Sequence, residues 1–312
     1  MNCSSPASCA SPTHTPEEGI SAARAALREF AAACGAFEWI TLGYLTFLST
    51  LILIFHRHVA HPARYILIHA AILAAMFVLA RSARICAHPA IRFARSWYPL
   101  PLYIFCFEEL RSLVHIVFPG WFDPLLVALD YSLFGQHPAV WLARFSSPAF
   151  GDFMQAAYMT YFLFLVALPA LLYARREDRA FWTVMTSTAI AHYTVYVIAV
   201  FFPIESPHFA LAALPAAPLA AGPATHLINS IERFGRVHGA AFPSAHVSGS
   251  MVAILASWRY RRWLFWICLP FFVCMMVATV YGRYHYVADV FAGMLTGTFA
   301  YALGLCLMTK RA

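Results

Sequence analysis

Charge is scarce in this sequence. Of its 312 residues 11% are Asp, Glu, Lys or Arg and 62% are hydrophobic, against about 25% and 45–50% in an ordinary soluble domain. That deficit excludes a soluble globular domain, a disordered chain and a charged coiled coil. Lysine is nearly missing: of 21 basic residues all but Lys310 are arginine. Cys-x-x-Cys pairs are missing too. Five of the eight cysteines lie in or beside apolar runs, which excludes a secreted disulfide scaffold and leaves them as small core hydrophobes. The first 14 residues carry no charge, lack the basic start and apolar stretch of a signal peptide, and read as a mobile tail.

What the sequence has instead is apolar runs of bilayer length. They fall at about 37–56, 65–81, 98–118, 153–174, 180–202, 243–258, 263–281 and 286–308, each near the ~20 residues a spanning helix needs. The expected fold is therefore all-α, a polytopic membrane helical bundle of about eight transmembrane helices. Glu108, Glu109 and Arg111 interrupt the third run and should face the bundle interior, as a buried ion-pair cluster or as part of a head-group pocket. Residues 121–141, apolar with scattered polar groups, should lie along the interface. Ahead of the runs, Thr15-Pro16-Glu17-Glu18 reads as a capping box opening a short Ala-rich helix. His69, His115 and His192 have no partner pattern and read as packed histidines.

Orientation follows from the arginines. With eight spans, fourteen cations fall on the side of the N-terminus and five on the other, so both termini are expected in the cytoplasm. The net charge of +7 is then a topology signal, and no nucleic-acid surface is expected. The longest outer loop, 203–242, holds five prolines and an amphipathic piece from Thr225 to Phe234. It delivers the chain into the segment with the most chemistry.

Two segments carry that chemistry: Phe242-Pro243-Ser244-Ala245-His246 and Arg283-Tyr284-His285-Tyr286, the second followed by Asp289. His246 and His285 are 39 residues apart. At 1.5 Å per residue this is one helix across a ~30 Å core and another back, which returns both imidazoles to the outer face. Pro243 suits a first helical turn, leaving the amides of Ser244, Ala245 and His246 for an anion. His285 and Asp289, four apart, share a helix face, so the carboxylate can fix the tautomer and leave the other ring nitrogen as a nucleophile. Arg283 offers a planar cation for phosphate oxygens. Ala245, Gly249 and Ala253, and Gly293 with Gly297, form small-residue stripes for close helix packing.

Pro-Ser-Ala-His followed some forty residues later by His-x-x-x-Asp resembles the type-2 phosphatidic acid phosphatase superfamily. The wording Phe-Pro-Ser-x-His and His-Tyr-x-x-Asp is closest to its inositol phosphorylceramide synthase-like branch, and Asp130-Tyr131-Ser132-Leu133-Phe134-Gly135 is compatible with it. The resemblance implies a six-helix phosphatase-like core at 97–312, behind a tail at 1–36 and two additional helices at 37–96. It implies that His285 is a nucleophile forming a phosphohistidine, Asp289 its orienting acid, His246 the acid that protonates the leaving alcohol, and Ser244 a phosphate contact. No metal and no cofactor are implied. This chain lacks the family's Lys and Arg-Pro motif and has Thr279 where an Arg is usual, so Arg283, Arg236 or Arg233 takes the phosphate-binding work. Ala245 replaces the Gly of Pro-Ser-Gly-His, which favours a transferase over hydrolysis of free monoesters.

The expected function is cleavage of a lipid phosphate ester at the extracytoplasmic face, with a phospholipid or lipid phosphate as substrate and the bilayer as setting. Transfer of a phospho-head group to an acceptor lipid and simple hydrolysis of phosphatidic acid or isoprenyl phosphate both stay open. So do a non-catalytic lipid transporter or scaffold, and a metal centre built on His246, His285 and Asp289.

Overall fold

The computed structural model describes residues 34–214, 219–235 and 237–309. The capping box at 15–18 lies outside them. The described residues form thirteen α-helices and no strand. They are α1 (Ala36–Ile54), α2 (Pro62–Ile85), α3 (Pro89–Trp97), α4 (Pro99–Leu113), α5 (Asp123–Phe134), α6 (Pro138–Leu142), α7 (Pro148–Ala174), α8 (Asp178–Phe201), α9 (Pro207–Ala210), α10 (Pro223–Gly235), α11 (Ala245–Tyr260), α12 (Arg262–Tyr281) and α13 (Val287–Thr309). Seven begin with proline, which has no amide hydrogen to leave unpaired in the first turn.

Six of the helices, α1, α2, α7, α8, α12 and α13, are long and apolar enough to cross a membrane. The apolar runs expected at 98–118 and 243–258 form shorter helices, α4 with 15 residues and α11 with 16. Residues 121–141 form α5 and α6, and the amphipathic piece forms α10.

Helix α8 is the axis of the bundle and is buried on nearly every side. Its polar residues are largely satisfied on the helix itself: Ser187 Oγ donates to Thr183 O at 2.8 Å, and His192 Nδ1 donates to Thr188 O at 2.8 Å. One core, with Phe37, Leu45, Leu48, Leu110, Tyr193 and Tyr196, joins α1 and α4 to α8. The other, with Leu168, Met185, Val252, Met275 and Ala300, joins α7, α11, α12 and α13 to it.

Glycine sets the spacing of α11 and α13. A methyl group on Gly293 would stand 2.7 Å from Ser244 O, and one on Gly297 would overlap Ser248 O. This is the close approach expected of the α13 stripe. Gly249 on α11 turns elsewhere: its methyl would meet Cε1 of His192 on α8 at 2.8 Å. The small residues of α11 are therefore shared between two neighbours.

The acidic cluster in α4 divides. Arg111 and Glu108 pair at 2.9 Å on the surface. Glu109 turns inward and meets Nε2 of His69 at 2.7 Å, with both side chains buried. Nδ1 of His69 lies 2.7 Å from Ser49 Oγ, so this histidine has partners on α1 and α4 that its sequence neighbourhood did not announce. Helix α2 buries little besides His69, Met76 and Ala80, and this polar contact ties it to the body.

Candidate active site

His246 and His285 meet at one end of the bundle. The α11–α12 pair runs away from that end and back, and their ring centroids are 5.8 Å apart. A nucleophile approaches phosphorus to about 3–3.5 Å, and a proton donor reaches an oxygen at about 2.6–3.2 Å. One phosphoryl group can therefore touch both rings.

The local chain explains each position. Helix α12 ends in a Schellman turn: Arg283 N donates to Val280 O and Tyr284 N to Thr279 O, both at 3.0 Å. The left-handed position of that turn, φ 59°, is filled by Arg283 rather than by Gly282 before it. Beyond the turn, α13 starts under two carboxylates. Asp130 accepts from Val287 N and Ala288 N at 3.0 and 3.1 Å, and Asp289 Oδ2 accepts from Tyr286 N at 2.8 Å. Burial pushes the Asp130 carboxyl above its ordinary range, although the two amides pull it down. Tyr286 Oη donates to Asp123 at 2.7 Å, and Asp123 also accepts from the amides of Glu205 and Ser206, which anchors the outer loop. Burial, reinforced by the bond to Asp123, raises the Tyr286 phenol above its usual value.

His285 is 5% exposed. Its Nδ1 lies 2.7 Å from Ala241 O and 3.3 Å from Asp289 Oδ2. A carbonyl only accepts, so Nδ1 bears the proton and Nε2 of the neutral ring keeps its lone pair. The nearer partner is thus a backbone carbonyl, where the sequence pointed to Asp289. Ala241 is held by an isolated parallel bridge, with Ala241 N donating to Ile204 O at 3.1 Å and Ile204 N to Gly239 O at 3.2 Å. Asp289 Oδ1 is buried with no partner.

His246 Nε2 and Tyr158 Oη share a hydrogen bond at 2.9 Å, and the ring packs against Tyr161 with centroids 4.5 Å apart. Its Nδ1 is buried with no partner. Helix α11 begins at Ala245, not at Pro243, because Ser244 is the cap: its Oγ accepts from Val247 N at 3.3 Å. The Ser244 amide donates to Asp289 O at 3.1 Å and is not left for an anion, whereas Ala245 and His246 precede the first intrahelical bond, Ser248 N to Ser244 O. Arg236 lies outside the described residues.

A cavity of about 550 Å³, with Arg283, Tyr284, Gln155, His208 and Thr225 in its wall, has neither imidazole in its lining. Tyr284 connects the cavity to the imidazoles, since its ring stacks on Tyr158 with centroids 4.5 Å apart and its hydroxyl bonds the Gln155 amide at 3.0 Å. Among the described residues no three His, Cys, Asp or Glu side chains are grouped to hold a metal ion. Sequence reasoning missed Tyr158, Ala241 and Asp123, and quoted Asp130 only within a family-like wording, without a role. For the two acids, each lone in an apolar stretch, a signal was present.

A family model described as PAP2 superfamily matches residues 124–303, from the start of α5 to near the end of α13. The chain belongs to the PAP2 superfamily. No curated protein and no solved structure matches it. PAP2 membership supports an enzyme with phosphatase-type chemistry on lipid phosphates, and six membrane-length helices agree with an integral membrane protein. The matched region contains Tyr158, Ser244, His246, Arg283, His285 and Asp289, and Asp123 stands one residue before it.

Proposed function

We propose that the protein is a membrane phosphotransferase or phosphatase that cleaves a lipid phosphate ester through a phosphohistidine on His285. The observation carrying this reading is the engaged Nδ1 of His285, which leaves the Nε2 lone pair free on a ring 5.8 Å from that of His246. Nε2 attacks phosphorus in line, the N–P bond forms and the P–O bond to the lipid breaks. The proton of His246 goes to the departing alkoxide. Water or an acceptor alcohol then gives its proton to His246 and attacks phosphorus, and the P–N bond breaks. Asp289 stabilises the imidazolium as it forms. Arg283, the Ala245 and His246 amides, and Ser244 at the cap hold the phosphate oxygens, with Arg236 as a further candidate.

Transfer to an acceptor lipid, as in the inositol phosphorylceramide synthase-like branch, is the finer reading. It rests on the Phe-Pro-Ser-x-His wording and on Ala245. The short α4 and α11 complete eight spans when capped by interfacial residues, and the arginine count then puts both termini in the cytoplasm and the imidazoles on the extracytoplasmic side.

The test is single-turnover reaction of the purified protein with a lipid phosphate labelled at phosphorus. An acid-labile, base-stable phosphoprotein should form on the intact protein and be absent in His285→Ala. Label on any other residue removes the mechanism. Adding acceptor alcohols separates transfer from hydrolysis.

A further inference from the structure

A second cavity lies at the other end of the bundle. Helix α11 begins beside His246 and α13 beside His285, so their last residues, Tyr260 and Thr309, stand about 20–35 Å from the imidazoles. Between those ends, the loop after α7 and the first turns of α8 is a hollow of about 610 Å³. Arg176, Arg179 and Arg259 line it, with Glu177, Asp178, Leu305 and Met308.

The two acids are already taken. Glu177 pairs with Arg261, and Asp178 pairs with Arg92 at 3.0 Å. Arg179 reaches the carbonyl of Met308 at 3.4 Å, and Arg259 lies 5.9 Å from the centre of the Tyr260 ring. Arg176 and Arg259 make no ion pair among the described residues. Three guanidinium groups thus share one cavity without a counter-ion of their own.

The backbone supplies an independent sign. Helix α7 ends in a Schellman turn, Arg176 N donating to Tyr173 O at 3.1 Å and Glu177 N to Leu172 O at 3.0 Å. Its left-handed position, φ 58°, is occupied by Arg176, where glycine would sit without cost. The same substitution of arginine for glycine puts Arg283 into the wall of the other cavity. Strain of this kind collects where a side chain has work to do.

Neighbouring side chains set the depth. Trp258, Trp263 and Trp266 are exposed around this end, and Arg262 lies 4.5 Å over the Trp258 ring, the pattern of a belt at the level of lipid head groups. We propose that this cavity binds the phosphate head group of an anionic phospholipid, with its acyl chains lying along Leu305 and Met308. Basic pockets between helix ends are suited to such ligands. The site is separate from the imidazoles, and its occupant bridges α7, α8, α11 and α13.

The experiment uses the full chain carrying His285→Ala, so that turnover does not consume the probe, in neutral detergent. Phosphatidylglycerol, phosphatidylcholine and inorganic phosphate are added separately, with binding read by native mass spectrometry and by the unfolding temperature. Phosphatidylglycerol alone should bind as a single retained lipid and raise the unfolding temperature. The triple variant R176Q/R179Q/R259Q should bind it about tenfold more weakly or worse, while R176K/R179K/R259K should keep most of the affinity. If the triple glutamine variant does not fold, Arg176→Gly carries the test, because it relieves the left-handed backbone and should still weaken binding. Equal binding of phosphatidylcholine, undiminished binding by the folded variants, or an equal rise with inorganic phosphate overturns the proposal.

Discussion

His285 Nδ1 sits closer to the carbonyl of Ala241, at 2.7 Å, than to the carboxylate of Asp289, at 3.3 Å. The tautomer of the candidate nucleophile is therefore fixed twice, once by the outer loop and once by α13. Replacing the acid should be milder here than where an acid alone orients the ring, a loss of about 10⁴ in kcat. Asp289→Asn keeps an acceptor for Tyr286 N and should lower kcat by about 10²-fold. A loss equal to that of His285→Ala, measured on the same lipid phosphate, would show that Ala241 does not hold the ring.

Arg283 occupies a left-handed position that suits glycine. Arg283→Gly should therefore leave the unfolding temperature unchanged or slightly higher, while kcat/KM falls by about 10–10²-fold as a charge-assisted phosphate contact is lost. Arg283→Lys should recover part of the activity. Unaltered kinetics in the glycine variant would assign the phosphate to other residues.

Tyr158 is joined to His246 Nε2 by a 2.9 Å hydrogen bond, which makes it a positioning residue for that ring. Tyr158→Phe retains the ring stacked on Tyr284 and removes the hydroxyl. We expect kcat to drop about tenfold with KM little changed, and the pH–rate profile to shift, because the environment of His246 alone is altered. A change confined to KM would instead make Tyr158 a substrate contact.

His69 and Glu109 are a stability device. Removing one member of a buried pair leaves the other without compensation, at a cost of about 3–5 kcal/mol. His69→Ala should lower the unfolding temperature sharply, and His69→Ala with Glu109→Leu should restore much of it. If the single variant unfolds like the parent, α2 is held by its apolar contacts alone.

Much of the fold was legible because hydrophobic length is a local property. The limits of α7, α8, α12 and α13 follow the apolar runs within a few residues, and the pairing of His246 with His285 followed from one helix out and one back. The line between spanning and shorter helices was less legible: the run at 98–118 reads as continuous, yet Pro99 and the turn after Leu113 confine α4 to 15 residues. Pro243 looked like a first-turn proline, but Ser244, one residue on, has the better cap. Within the site, the sequence carried the side chains separated by fixed helical spacing and missed those delivered from afar. Tyr158 comes from α7, Asp123 and Asp130 from α5, and Ala241 contributes no side chain at all.

Composition and periodicity by themselves determined an all-helical chain built for lipid, and two motifs brought to one end of adjoining helices. Both depend on the free energy of placing each residue in hydrocarbon and on the constant rise of a helix, which need no knowledge of neighbours. Only the tertiary structure decided that a loop carbonyl holds His285, that His69 meets Glu109, and that Arg176, Arg179 and Arg259 share a cavity. Those contacts join residues dozens of positions apart, and hydrogen bonds of 3 Å are set by how the helices pack, not by the order in which they occur.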